Sequence, residues 1–153
     1  MSEEQSQQPS FSIEKIYLKD ASVEVPNAPQ IFLARETPQV DIQIHNQGAK
    51  VDEGVYEVVL TVTVTAKIED KTLFLVEVGQ AGVFLLNHIP QADIAPILNV
   101  TCPNILFPYA REAVSDLVTR AGFPPILLSP VNFEMMYAQK QAQAQEAPPA
   151  VIH

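Results

Sequence analysis

Apolar and polar residues alternate along most of the first ninety positions. Phe11, Ile13, Tyr17, Ala21, Val23 and Val25 share one parity, and Glu14, Asp20, Ser22 and Glu24 share the other. Period two over 11–25 predicts a long antiparallel strand with one buried face and one wetter, acidic face. Ile16 and Leu18 fall on the acidic parity, and the interruptions at Lys15 and Lys19 mark an edge. Pro26-Asn27-Ala28-Pro29 ends this strand. The connection 30–38 carries Ile31-Phe32-Leu33, which either packs on the sheet or joins a contact surface. Val40, Ile42 and Ile44 then alternate with Asp41, Gln43 and His45, a short strand before a turn region over 46–54. Val55–Ile68 alternates most cleanly, with Tyr56, Val58, Leu60, Val62, Val64 and Ala66 opposite Thr61, Thr63 and Thr65. Glu69-Asp70-Lys71 turns the chain, so 72–86 returns as a hairpin partner. The glycines at 79 and 82 are expected to bulge or bend that strand.

Beyond position 88 the period changes. Ile89, Ile94, Ile97 and Leu98 suggest a short helix over 88–101. Tyr109/Ala110, Ala113/Val114, Leu117/Val118 and Ala121 recur every four residues as one apolar helical stripe. Gly122, Pro124 and Pro125 stop it. A start at Pro103 puts Pro108 inside the helix, whereas a start at Pro108 avoids that. The pattern favours Pro103 with a distortion at Pro108. A second helix opens over 131–137, with Phe133, Met136, Tyr137 and Lys140 on one side. Strands followed by helices give an α+β fold, a four-stranded antiparallel sheet with helices packed on one side. The apolar content of that helix, with Ile16, Leu18, Val59 and Leu75 on the other sheet face, exceeds what one subunit covers and implies oligomerisation.

The 153 residues suggest one domain over 11–137. It is flanked by a polar, disordered tail over 1–10 and a flexible Gln/Ala-rich tail over 138–153. The net charge of −9 excludes a nucleic-acid binder and disfavours anionic membrane surfaces, while it suits basic partners. A single cysteine, Cys102, allows no intramolecular disulfide and fits a reducing compartment. With no signal-like or membrane-spanning run, the expectation is a soluble, cytoplasmic protein.

Candidate chemistry is sparse. His45, His88 and His153 have no metal-ligand spacing, so neither metal nor cofactor is expected. Cys102 precedes a proline among apolar residues, where inert packing is the default. The GxxG spacing at 79–82 lies inside a strand and is no phosphate loop. An enzyme is therefore not expected. Asp20 and Glu24 share a parity, as do Leu75 and Glu77. Presented together, they would form a docking patch for a basic segment with an apolar anchor, or else an ordinary solvated face.

The run Cys102-Pro-Asn-Ile-Leu-Phe-Pro-Tyr-Ala-Arg-Glu112, with Gly122-Phe-Pro124 and Pro130-Val-Asn-Phe133, resembles the SecB family of bacterial protein-export chaperones. So do Ile16-Tyr17, Lys19-Asp20, Pro26-Asn27-Ala28-Pro29 and Val55-Tyr-Glu-Val-Val-Leu60. The resemblance implies a homotetramer built as a dimer of dimers, with the long helix between dimers; Tyr109, Ala113 and Leu117 would lie in that interface. It implies an ATP-independent holdase that keeps newly made preproteins unfolded and delivers them to the SecA ATPase. It implies that Asp20, Glu24, Leu75 and Glu77 contact the basic, zinc-bearing C-terminal tail of SecA, the zinc being the partner's. It implies client grooves that here would use Ile42, Ile44, Phe133, Met136 and Tyr137, with Phe32, Val40 and Leu127. Arg35-Glu36 stands where some members carry an aromatic residue. Two rival readings remain, an adaptor for one basic folded partner and a small-molecule-binding α+β cavity domain.

Overall fold

The computed structural model describes residues 8–146. Four long strands, β1 (Ser10–Glu24), β2 (Gln39–Asp52), β3 (Val55–Ile68) and β4 (Lys71–Asn87), form one antiparallel sheet in the order β1-β4-β3-β2. A 3-10 turn, Gln30–Leu33, lies in the crossover between β1 and β2. Helix α1 (Gln91–Pro96) passes through a π-helical turn, Ile97–Thr101, into α2 (Cys102–Arg120), and α3 (Phe133–Glu146) closes the described chain. Of the two expected tails, 1–7 and 147–153 lie outside the described residues. Ser10 already belongs to β1, and 138–146 belong to α3.

β3 and β4 carry the core because every second residue faces the helices. Val58, Leu60, Val62, Val64, Ala66, Val76, Val78 and Phe84 are all buried there. Helix α2 lies across these two strands and buries Leu106, Ala110, Val114 and Val118 against them. Each such leucine or valine contributes about 1.5–3 kcal/mol when fully buried. The sheet and the helical layer thus match the expected α+β class.

The register corrects four expectations. First, β1 carries two bulges, between Ile13 and Lys15 and between Leu18 and Asp20. Each bulge inserts one residue and flips the parity of everything after it. Ile16 and Leu18 therefore pair with Gly82 and Gln80 on the helix-bearing face, not the outer one, and Tyr17 pairs with Ala81 on the outer face. The Gln80 side chain holds the second bulge, donating Nε2–H to the Tyr17 carbonyl at 3.1 Å. Second, neither Gly79 nor Gly82 is itself bulged: the extra residues opposite this stretch lie on β1, and the bulge on β4 falls at Leu73, opposite the step from Ala66 to Lys67. Gly82 instead allows close packing: a Cβ there would stand 2.8 Å from the Phe84 ring and 3.1 Å from Leu106 Cδ2.

Third, β2 runs through the expected turn region to Asp52. Only Glu53 and Gly54 turn the chain, with Gly54 at φ 71°. Fourth, the helical distortion precedes Pro103 rather than sitting at Pro108. The Cys102 N–H donates to the Ile97 carbonyl, five residues back. Pro103 has no N–H to continue the regular ladder, so the turn before it widens, and the helix then continues across Pro108.

Candidate functional site

The outer face of the sheet brings the expected docking residues together. Glu24 stands opposite Leu75, Ser22 opposite Glu77, and Asp20 opposite Gly79, so Asp20, Glu24, Leu75 and Glu77 share one face of the β1–β4 ladder. Asp20 and Glu24 are exposed, and Leu75 and Glu77 are half-buried. Glu77 Oε1 accepts a hydrogen bond from the Thr63 hydroxyl at 2.9 Å, which fixes the carboxylate on the sheet. Further along, the Tyr17 hydroxyl donates to Glu57, and Lys19 Nζ lies 2.8 Å from Glu57 Oε1. Lys19 and Tyr17 together hold the Glu57 carboxyl below its usual range. Burial, then the bond to Glu57, pushes the Tyr17 hydroxyl up to about 12. The sequence pattern missed this trio because the bulges place Tyr17 on the acidic side.

The opposite face has an uncovered margin at β2. Val40, Ile42 and Ile44 pair with Ala66, Val64 and Val62, so all three face the helices. Val40 and Ile42 are nonetheless exposed, because α2 covers β3 and β4 and stops short of β2. At one end of this apolar line, a cavity of about 200 Å³ is lined by Ile44, His45, Asn46 and Asn99 with Phe133, Met136, Tyr137 and Lys140 of α3. Phe133 is a core residue, 2% exposed and packed edge-on against Phe107 at 6.0 Å. It anchors α3 and only borders the cavity. Met136 and Tyr137 are half-buried. Toward the opposite end of the sheet, Phe32 stacks on Phe123, which contacts Phe74, at 5.3 and 5.0 Å between centroids. Leu127 does not join either place. It is 81% exposed and lies with Pro108, Arg111 and Ser115 on the outer side of α2.

Sequence reasoning missed Asn46, Asn99 and Phe123. Asn46 had been placed in a turn, and Phe123 sat inside a helix-stop signal. Asn46 is buried on the helix-bearing face opposite Leu60. Its Nδ2–H donates to the Leu98 carbonyl of the π-helical turn at 3.1 Å, while its Oδ1 has no partner. A buried acceptor left unpaired costs about 1–3 kcal/mol.

A third apolar surface lies along α2 and β1, and β1 is the sheet edge opposite β2. Tyr109, Ala113 and Leu117 form a stripe on α2 beside the buried one, with Tyr109 half exposed and Ala113 and Leu117 partly buried. On the same side of the sheet, β1 leaves Ile13, Leu18 and Val23 exposed. Cys102 is fully buried, and burial alone pushes its thiol up to about 12, which suits packing and not nucleophilic chemistry. No helix among the described residues is long and apolar enough to cross a membrane.

Uncovered apolar margins, a fixed acidic face and an inert thiol define a binding protein that works through its surfaces. The family described as preprotein translocase subunit SecB matches residues 4–144. A protein-export protein SecB of Dechloromonas aromatica is 64% identical over 148 residues, covering 97% of each chain. One from Methylobacillus flagellatus is 62% identical over 149 residues, covering 97% of this chain and 95% of the relative. A solved structure of a Mycobacterium tuberculosis SecB-like chaperone, in complex with an antitoxin peptide, superposes with a TM-score of 0.65 at 19% identity. It covers 79% of this chain and 90% of that one, and shows the shared fold. This chain belongs to the SecB family. It is a chaperone of protein export and not an enzyme.

Proposed function

We propose that this chaperone is an ATP-independent holdase that binds unfolded preproteins along the β2 margin and delivers them to the SecA ATPase through its acidic outer face. The observation that carries the reading is the uncovered line of Val40, Ile42 and Ile44, ending at Met136 and Tyr137. An unfolded chain exposes apolar side chains at similar spacing. Met and Tyr adapt to many of them at little cost. The M. tuberculosis neighbour, a SecB-like chaperone holding a peptide, supports such a role for the fold. Several weak segments bound at once give a high combined avidity without nucleotide.

The four-residue patch of Asp20, Glu24, Leu75 and Glu77 offers negative charge around one apolar anchor, the complement of the basic SecA tail. Two apolar surfaces support a homotetramer, a dimer of dimers, in the cytoplasm. One is the Tyr109–Ala113–Leu117 stripe, and the other is the inner side of β1 with Ile13, Leu18 and Val23. Patches of this kind on a soluble protein mark interaction sites.

Light scattering tests the holdase reading. A slow-folding preprotein is diluted from denaturant with and without this protein, in the absence of ATP. Suppression of aggregation near one tetramer per client is expected, and it should weaken when Met136 and Tyr137 are both changed to serine. A folded sample that leaves aggregation unchanged would overturn the reading and favour an adaptor that works through the acidic face alone.

A further inference from the structure

The cavity beneath α3 sets Ile44, Phe133, Met136 and Tyr137 beside His45, Asn99 and Lys140, and among these Asn46 presents a buried acceptor that nothing in the fold uses. Folded proteins pair such atoms almost without exception, and an unpaired one needs an explanation. The amide cannot be turned round to relieve it. Nδ2 already donates to the Leu98 carbonyl at 3.1 Å, and a flipped amide would set two oxygens against each other. The cover over this atom is light. Helix α3 is rooted by buried Phe133, packs chiefly on the π-helical turn, and is exposed from Ala138 to Gln145. Met136 and Tyr137, which line the cavity with Asn46, are the last of its residues with partly buried side chains.

We propose that Asn46 is the polar anchor of the client groove: when α3 yields, its free Oδ1 accepts a main-chain N–H from an extended client segment whose apolar side chains occupy the cavity. This rests on the holdase reading above. A main-chain N–H is the one donor that every unfolded sequence except proline offers at every residue. A single acceptor set among Ile44, Met136 and Tyr137 therefore orients a segment without selecting its sequence. Proline at the anchored position would be excluded.

The test is an amide-to-ester scan of a short apolar peptide from an unfolded preprotein, bound by the full-length protein and by Asn46→Leu. An ester removes one N–H and little else. In the wild type, one position should lose about tenfold in affinity, the value of one hydrogen bond to a desolvated acceptor. At that position the Asn46 side-chain carbonyl carbon should shift in NMR with the amide peptide and not with the ester. In Asn46→Leu the ester penalty should vanish. A flat scan in the wild type, or an equal penalty in Asn46→Leu, overturns the anchor while peptide binding itself upholds the groove. The NMR comparison decides the matter if Asn46→Leu does not fold. Absence of any peptide binding overturns both readings together.

Discussion

Replacing Gly82 with alanine should destabilise this protein, and the same change at Gly79 should not. The two glycines sit three positions apart in the middle of β4, both in regular pairing. Propensity treats them alike: alanine in a strand gains about 0.5–1 kcal/mol over glycine through the unfolded chain's lost freedom. Geometry separates them. A Cβ on Gly79 would stand 3.5 Å from Asp20 Cβ, an ordinary contact. A Cβ on Gly82 would stand 2.8 Å from two carbons of the Phe84 ring and 3.1 Å from Leu106 Cδ2. Neither neighbour can retreat, since both are fully buried and the Phe84 ring stacks on Phe11 at 5.7 Å. Overpacking of this kind costs about 1–3 kcal/mol. Set against the propensity gain, Gly82→Ala should lose about 0.5–2 kcal/mol. Gly79→Ala should be neutral or slightly stabilising. Thermal unfolding followed by circular dichroism checks this, at one fixed protein concentration because an oligomer's Tm moves with concentration. The expected loss for Gly82→Ala is several degrees. A Gly82→Ala protein as stable as wild type would refute the close-packing argument. Equal losses at both positions would mean that the glycines bend the strand instead.

Glu77→Lys should weaken SecA binding at least tenfold, through charge reversal inside a desolvated contact, and leave client binding intact; calorimetry with unchanged SecA affinity would remove Glu77 from the docking face. Tyr17 should ionise only well above the ordinary tyrosine range. Its folded-state value, raised to about 12, lies above the unfolded value near 10, so its contribution to stability is whole below pH 10 and is lost as pH rises toward 12. Glu57→Gln removes the charge and leaves a weaker, neutral acceptor for the Tyr17 hydroxyl, and should draw the Tyr17 phenolate absorbance to lower pH; an unmoved titration curve would show that burial alone sets it. Gln80→Leu should cost about 1–2 kcal/mol in denaturant unfolding, because the Tyr17 carbonyl freed by the β1 bulge loses its donor; no change in midpoint would show that solvent replaces it.

What was legible in the chain followed from local periodicity. β3 has apolar residues at every second position and a tight turn after it, and its bounds were read directly. The α2 stripe was equally clear, though the pattern joined Tyr109, Ala113 and Leu117 to the buried line of Ala110, Val114 and Val118, and only the family resemblance singled them out. Most of the misreadings come from a partner strand or helix overriding the local signal, whereas the distortion before Pro103 comes from that residue's missing N–H. Asn46-Gln47-Gly48-Ala49 reads as a turn, yet it is held extended by Leu60, Val59, Val58 and Glu57 of β3, and Gly48 gives room for Leu98. Period two assumes an unbroken ladder, so the bulges on β1 hid the true sides of Ile16, Tyr17 and Leu18. The four candidate docking residues escaped this error because Asp20 and Glu24 lie beyond the second bulge of β1, and Leu75 and Glu77 lie beyond the bulge at Leu73 on β4, where parity holds. Asn46 could be found only from the structure, since an unpaired acceptor has no sequence pattern.

The two hairpins that join β2, β3 and β4 turn on only two residues each, Glu53-Gly54 and Glu69-Asp70, the first with Gly54 at φ 71° and the second with Glu69 at φ 55°. Contacts across them are close in sequence and cheap to form. β1 has no such help. It must bridge the entire three-strand meander before Asp20 meets Gly79, and loop-closure entropy sets it apart from the rest of the sheet. The sheet thus has a self-sufficient part and an added part, and the added strand carries Asp20 and Glu24 on one side and the exposed Ile13, Leu18 and Val23 on the other. On the ribosome β1 emerges first and waits for its neighbour β4. A chaperone of protein export therefore has, in its own sheet, a strand made before the other three that stays unpaired until most of the sheet has been synthesised.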